Sequence, residues 1–381
     1  MHLLSQHREF PLHCLTYSDP MIEERLSRTT WEPGCGIMGV PLGVPRQESI
    51  QETGPGPSPR VRWEVGLGFA LKTGESVAEE VRRIAREQIE GAVEGLQGRT
   101  EASREEVVHD ARKRFKRVRA LLRLARGGLI GKVRRREDAR FRDLGRSLAS
   151  SRDAEVLLRT FEHLVPRPEN DSESDSDSAP FAEARTALEH HYRAVHDQAP
   201  DGSNLLESAA REASEALEAV EGWPFFEDGW SAIAPGLRWI YRGGRRAARA
   251  ARRDPCNDAL HDWRKRVKDY WHALEVLGPI RPEFLEEQAN QTHRLADLLG
   301  DDHDLAVLLA FLNDPARNLQ DRPVLDDLSR RIDESRAELR REAFDLGQRS
   351  YRDRPSALIQ RFHDFWRAWQ AERRARSRDE S

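Results

Sequence analysis

An internal repeat constrains the fold of this 381-residue chain more than any other feature. The motif His-Asp-x-Arg-Lys-Arg-x-Lys occupies residues 109–116 and returns, 152 positions later, at residues 261–268. One block before the motif and one block after it recur in the same order at nearly the same offset. These blocks are residues 81–86 with 237–242 and residues 152–158 with 303–309. Three matches in one order predict two halves of similar structure.

Both halves have the periodicity of α-helices, because apolar residues recur every three or four positions and no alternating strand pattern follows residue 70. The predicted helices span about residues 75–96, 103–126, 134–164, 181–221, 230–253, 256–277, 282–313 and 322–375. Ser76 followed by Glu79 forms a capping box for the first helix, and Gly127-Gly128 ends the second. Further breaks are expected near Ser150, Pro323 and Pro355. The expected fold class is therefore all-α.

Three segments fall outside this pattern. Residues 1–69 are rich in Gly and Pro and are expected to be poorly ordered. The acidic stretch PENDSESDSDSAP, residues 168–180, is predicted to be a disordered loop within the fold. Residues 373–381 are expected to form a charged tail.

The composition favours a cytoplasmic protein with no membrane association. No apolar run approaches the roughly 20 residues that cross a bilayer, and the N-terminus lacks the pattern of a signal peptide. Cys14, Cys35 and Cys256 are far apart and odd in number. Their spacing argues against a disulfide framework or a zinc site, and it fits a reducing compartment.

Positive charge is concentrated in two places. The whole chain has a net charge of −4, yet residues 104–136 carry 13 Lys or Arg against 3 Asp or Glu, and residues 236–268 carry 11 against 3. The rest of the chain is therefore strongly acidic. This distribution is typical of a protein that holds a polyanion at a defined place. Two solvated helix faces are the alternative interpretation.

The cations of each motif share one side of a helix, and apolar residues take the other side. The basic stripe consists of His109, Arg112, Lys113, Lys116, Arg119 and Arg123 in the first copy, and of His261, Arg264, Lys265 and Lys268 in the second. The apolar stripe consists of Val108, Ala111, Phe115, Val118, Leu122 and Ala125, and then of Leu260, Trp263, Val267, Leu274 and Leu277. Because like charges stacked along a helix repel, we expect an anionic ligand to neutralise each basic stripe.

Lysine is concentrated in the two motifs. Only six of the 62 basic residues are Lys, and four of these are Lys113, Lys116, Lys265 and Lys268. Lys is a flexible point charge, whereas Arg is a rigid fork, so Lys suits a mobile chain of phosphates. Arginines of the upstream blocks extend the predicted surface, unless they serve only solubility. They are Arg82, Arg86, Arg238, Arg242, Arg245 and Arg246.

These features resemble the CHAD domain, a conserved-histidine α-helical domain. The resemblance rests on the duplicated His-x-x-Arg-Lys-x-x-Lys helix, on the block that follows each copy, and on the stretch Tyr241 to Arg246. It covers about residues 70–372. It implies two four-helix bundles, from repeats at about 70–222 and 230–372, related by a pseudo-twofold axis with a basic surface or channel between them.

The resemblance also implies a function. CHAD domains bind inorganic polyphosphate and are found on polyphosphate granules, and the ligands carried over by position are the stripes around His109 and His261. Two departures limit the likeness. Residues 1–70 lack the Glu-x-Glu-x-Lys strand of the triphosphatase domain that often precedes a CHAD domain, so no such activity is inferred. Trp271 and Glu275 stand where the first copy has Arg119 and Arg123, so we expect the second stripe to contribute less.

Catalysis and metal binding are less compatible with the sequence. His109 and His261 could act as general bases, but no nucleophile motif or Gly-rich phosphate loop accompanies them, so we expect no enzyme and no cofactor. His293, Asp297 and Asp301 have metal-ligand spacing on a helix. Their equivalents in the first half are Arg142, Arg146 and Ser150, which argues against a metal site.

Nucleic-acid binding is the strongest alternative. The basic stripes would serve a phosphate backbone equally well. No helix-turn-helix, zinc finger or RNA-binding signature is present in the sequence, however. The oligomeric state is not predicted.

Overall fold

Helix follows helix throughout the part of the chain that the structure describes. The structure is a computed structural model, and it describes residues 69–72, 76–148, 152–165, 181–197, 202–317, 319 and 322–379, all within the compact unit Pro59–Ser381. The helices are α1 (Val77–Leu96), α2 (Arg104–Leu124), α3 (Gly131–Ser147), α4 (Arg152–Leu164), α5 (Ala182–Asp197), α6 (Gly202–Val220), α7 (Gly229–Arg253), α8 (Asn257–Leu277), α9 (Pro282–Leu312), α10 (Arg322–Ser350) and α11 (Pro355–Asp379). The all-α prediction is confirmed for these residues, in which β-pairing is limited to a single bridge between Leu129 and Phe225.

Local sequence signals set the helix ends. The predicted capping box is present at α1, where the Glu79 amide donates to Ser76 Oγ at 3.1 Å and the Ser76 amide donates to Glu79 Oε2 at 2.9 Å. Ser103 and Glu106 form the same box at α2. Pro323 and Pro355 lie in the first turns of α10 and α11, where a missing amide hydrogen costs nothing.

The helices pack in two sets that follow the two halves of the sequence. Helices α1, α2, α3 and α6 pack together, and helices α7, α8, α9 and α10 pack together, with α11 on α7. The pair α4 and α5 packs on α9 and has a smaller core of its own. This arrangement fits two bundles, while the superposition of the halves stays a prediction.

Several predicted segments lie partly or wholly outside the described residues. These are residues 1–68, Ser150 and the acidic stretch 168–180. Helix α11 continues through residues 373–379, which we expected to be a charged tail. No helix in the described ranges combines the length and the apolarity needed to cross a bilayer.

Candidate functional site

The first half of α2 presents the predicted basic stripe to solvent. His109, Lys113 and Lys116 are exposed, and Arg112 is half-buried. The Nε and Nη1 atoms of Arg112 are buried and have no hydrogen-bond partner in the described structure. The apolar stripe on the other side of α2 is buried as predicted, apart from Val108, which is half-buried against the core.

The second half of the α2 stripe lies against acidic residues of other helices. Arg119 Nε is 3.3 Å from Asp138 Oδ1 of α3, and Arg123 Nη2 is 3.0 Å from the same oxygen. Arg123 also pairs with Asp269 of α8. Burial lowers the pKa of Arg119, with the nearby Arg123 acting in the same direction. These two arginines therefore hold helices together, which the helical wheel alone did not indicate.

The second basic stripe, on α8, lies partly against α9. Lys265 is exposed, whereas Lys268 and Arg264 are half-buried. Arg264 lies over Gly300, where a Cβ would come within 3.0 Å of the guanidinium. The glycine thus leaves room for the Arg264 side chain between α8 and α9.

The ring of His261 lies against that of His303 of α9, with centroids 4.4 Å apart and an angle of 33° between the ring planes. The Nδ1 atom of His261 is buried and has no hydrogen-bond partner in the described structure. Burial, followed by the positive charge of Lys265 and the neighbouring His303, lowers the pKa of His261 to about 4. At neutral pH this residue is therefore an uncharged hydrogen-bonding group and not one of the cations of the stripe.

Two ion pairs join α2 to α8. Arg117 Nη2 lies 3.5 Å from Glu275 Oε1, and Arg123 pairs with Asp269. As the residue number rises on α2, that of the partner on α8 falls, so the two helices run antiparallel at this contact.

The repeat offset of 152 exchanges these two pairs, because it relates Arg117 to Asp269 and Arg123 to Glu275. Such an exchange is expected of a contact around a twofold axis. A strictly repeated sequence would place like charges together here. The acids at Asp269 and Glu275 prevent that repulsion.

The expected effect of Glu275 and Trp271 on the second stripe needs correction. Glu275 is buried, and its carboxylate lies 2.6 Å from His272 Nδ1 as well as near Arg117. Trp271 is half-buried, with its ring 4.2 Å from that of His293. Both residues therefore make contacts within and between helices, as Arg119 and Arg123 do in the first copy.

Each stripe leads directly into the contact between α2 and α8. Ala120 and His272 lie one helical turn after Lys116 and Lys268 on the same face, and both are buried. Because the helices are antiparallel, the two stripes extend from the contact toward opposite ends. The centre of the contact between α2 and α8 lies at Ala120 and His272. Lys113 and Lys265 each lie seven residues before these positions, so the two lysines are separated by up to roughly 20 Å along the helix axes.

The upstream arginines divide into two groups. Arg82 donates to the Trp223 carbonyl at 2.8 Å and lies over the Phe225 ring, and Arg86 pairs with Glu221. Both are therefore structural in this conformation. The arginines of α7 are more available: Arg238, Arg242 and Arg246 are exposed, and Arg245 lines a cavity between α7 and α10.

A third group of cations was not identified from the sequence. Arg126 and Arg266 lie over the ring of Trp239, with guanidinium carbons 4.9 and 5.3 Å from its centroid. Burial and the charge of Arg126 lower the pKa of Arg134. Arg266 belongs to the repeated motif but lies off the predicted stripe, so its position in the motif was the only available signal.

Two of the residues with metal-ligand spacing, His293 and Asp297, pair with each other. His293 Nδ1 lies 3.1 Å from Asp297 Oδ2, and the nearby His303 ring lies against that of His261. Within the described ranges, no group of three His, Cys, Asp or Glu side chains could hold a metal ion. Cys256 is a free, exposed thiol, while Cys14 and Cys35 lie outside those ranges.

Comparisons with known proteins agree with the resemblance seen in the sequence. A family model described as the CHAD domain matches residues 84–313, which include both copies of the basic motif. The crystal structure of the CHAD domain from the plant Ricinus communis is similar to this chain, with a TM-score of 0.50 and 18% sequence identity. The match covers 75% of this chain and 95% of that one. At this identity the likeness shows the fold alone. A search of curated proteins found no matching relative.

Proposed function

This chain belongs to the CHAD domain family, and we propose that it binds inorganic polyphosphate through the basic stripes of α2 and α8 without catalysing a reaction. The observation that carries the proposal is the placement of the two motifs. Each motif lies on a long helix that has one buried side, and Lys113, Lys116 and Lys265 are exposed on the side that faces solvent. The family resemblance supplies the ligand class.

Simple electrostatics supports a polyanion. Each exposed Lys offers a point charge on a flexible stem, which adapts to phosphate oxygens at varying positions. Arg112, which is half-buried on the same face, adds a further positive charge. Binding would also relieve the repulsion between cations stacked along one helix face.

A non-catalytic role is favoured by the surroundings of His261. A general base needs a pKa near the working pH, whereas burial and neighbouring cations lower the pKa of His261 to about 4. In our proposal His261 instead gives a hydrogen bond to a phosphate oxygen. We further propose that the protein is cytoplasmic and associates with polyphosphate granules, as the family resemblance implies.

Charge reversal tests the proposal. Replacing Lys113 and Lys116 by Glu should weaken binding of long-chain polyphosphate by at least about tenfold, because it removes two attractions and adds two repulsions. The same change at Lys265 and Lys268 should have a smaller effect, because Lys268 is half-buried and His261 is uncharged. Isothermal titration calorimetry measures the affinities, and circular dichroism checks that both variants fold.

A matched control separates the stripes from net charge. Arg341 of α10 and Arg367 of α11 are exposed and lie on neither stripe. The double variant Arg341→Glu, Arg367→Glu changes the net charge equally and should bind almost as the wild type does. Unchanged affinity in both folded stripe variants, or an equal loss in the control, would show that the stripes are only solvated surface.

A further inference from the structure

A cavity of about 350 Å³ lies between α7 and α10. Its α7 side consists of Arg245, Ala248, Arg249 and Arg252, which are spaced to share one helix face. Its other walls come from α8, α10 and the residues just after α10. They are Trp263, Phe344, Gly347, Gln348, Tyr351 and Arg352.

Two glycines make room for the aromatic wall. A Cβ on Gly347 would overlap the six-membered ring of Trp263, and a Cβ on Gly244 would overlap the Tyr351 hydroxyl. Both glycines lie inside long helices, where Gly costs about 1 kcal/mol relative to Ala. The rings of Trp263 and Phe344 stack at 5.5 Å with an angle of 14° between their planes. Trp263 itself is 0% exposed, so the apolar wall that a ligand can reach consists of the half-buried ring of Phe344 together with Ala248.

The rim of the cavity is strongly basic. Arg249, Arg252 and Arg352 are exposed, Arg245 is half-buried, and none of the residues that line the cavity is acidic. Arg252 has Gln348 at 3.4 Å and lies over the Phe344 ring, 6.0 Å from its centroid, and Arg352 has Asp353 at 3.8 Å. Four guanidinium groups around one small cavity repel one another, so an anion bound among them would be stabilised.

We propose that this cavity binds a small organic phosphate with a flat apolar group, of the size and chemistry of a nucleoside monophosphate. The apolar wall accommodates the flat group, and the arginines of the rim hold the phosphate through bidentate contacts. Orthophosphate alone would leave the apolar wall unused. A single carboxylate would neutralise less of the rim. The proposal does not rest on polyphosphate binding, because Arg245 alone among the predicted polyphosphate-binding residues lines the cavity.

Calorimetric titration of the full-length wild type with AMP tests the inference, in about 0.15 M salt to screen long-range attraction. We expect AMP to bind at least about tenfold more tightly than either adenosine or orthophosphate, because adenosine lacks the phosphate and orthophosphate lacks the flat apolar group. No binding of AMP, or orthophosphate binding as tight as that of AMP, would overturn the proposal. Polyphosphate binding measured on the same preparation shows independently whether the proposed function holds.

Variants on α7 locate the site. The double variant Arg249→Gln, Arg252→Gln should lose at least about tenfold in AMP affinity, because two charge-assisted contacts are removed. Both side chains are exposed, so the fold should persist, as a thermal melt by circular dichroism will show. Arg253→Gln, an equally exposed neighbour that does not line the cavity, is the control and should bind AMP as the wild type does. Equal AMP affinity in the double variant and the wild type would overturn the proposal.

Discussion

At the scale of single residues, Arg117, Arg123 and Arg266 are half-buried, and each contacts an acid or an aromatic ring of another part of the chain. Lys113 and Lys265, in contrast, extend into solvent from the same two helices. The rigid fork of Arg suits fixed partners, whereas the flexible stem of Lys suits a ligand that moves. Arg117, Arg123 and Arg266 thus serve contacts between helices, whereas we propose that Lys113 and Lys265 contact polyphosphate.

His261 should make the stability of the protein depend on pH. Burial, Lys265, His303 and Arg264 lower its pKa to about 4, against a smaller opposite effect of Asp258, while a histidine in an unfolded chain titrates at about 6.5. As the pH falls between these values, the unfolded chain binds a proton that the folded His261 does not. The free energy of unfolding therefore decreases.

Replacing His261 by Gln should remove this part of the pH dependence. Urea unfolding of the wild type and of the His261→Gln variant, at about pH 7 and about pH 5, measures it. We expect the wild type to lose more stability on acidification than the variant does. An equal loss in both proteins would mean that the folded His261 titrates like an ordinary histidine.

At the scale of helices, close backbone approach sets how the two halves meet. Gly236 lies in α7, and a Cβ there would overlap the backbone carbonyl of Leu124 at the end of α2. Gly127 and Gly128, which the sequence indicated as a helix stop, also approach the start of α7, near Ser231 and Ala232. Because backbone cannot move aside as a flexible side chain can, these glycines fix the spacing of α2 and α7.

Two substitutions within α7 test this contact. Gly236→Ala should lower the free energy of unfolding by about 1–3 kcal/mol, because the methyl group overpacks the contact. Gly243→Ala is the matched control. Its Cβ would meet Arg266 Cδ at 3.5 Å, an ordinary contact, so it should stabilise the helix by about 0.5–1 kcal/mol. Urea unfolding measures both. Similar stability of the two variants would contradict the account of Gly236.

Much of the helical structure could be predicted from the sequence, because caps and apolar periodicity are local. Ser76 and Glu79 form their capping box as predicted, and α9 ends at Leu312, within one residue of its predicted end. The charges that a helix meets in another helix could not be predicted. The helical wheel placed Arg119 and Arg123 on the basic stripe correctly, but only the fold shows that Asp138 and Asp269 lie opposite them. The sequence therefore indicated the helix face on which these cations lie, and not the partners that they meet in other helices.

At the scale of the whole molecule, the charge distribution indicates where a ligand would run. Positive charge lies on α2, α7 and α8, while the chain as a whole has a net charge of −4. The two stripes extend in opposite directions from the contact between α2 and α8, so a long polyanion could reach both whereas a short one could not. Binding at the second stripe would then be intramolecular, which should raise the affinity for long chains.

Polyphosphate and single-stranded DNA differ in what they could use on these stripes. Polyphosphate has no bases or sugars, so its charges are closer together than those of DNA. Phe115 and Trp263 are buried on the apolar sides of α2 and α8, so they provide no platform on which bases could stack from the stripes. The account therefore predicts a preference for polyphosphate.

A competition titration tests this central claim most directly. Long-chain polyphosphate is titrated into the wild type by calorimetry in about 0.15 M salt, alone and with single-stranded DNA at an equal concentration of phosphate. The account predicts strong binding of polyphosphate, with an affinity that DNA changes by less than about twofold. Suppression of the binding by DNA, or the absence of polyphosphate binding, would contradict it.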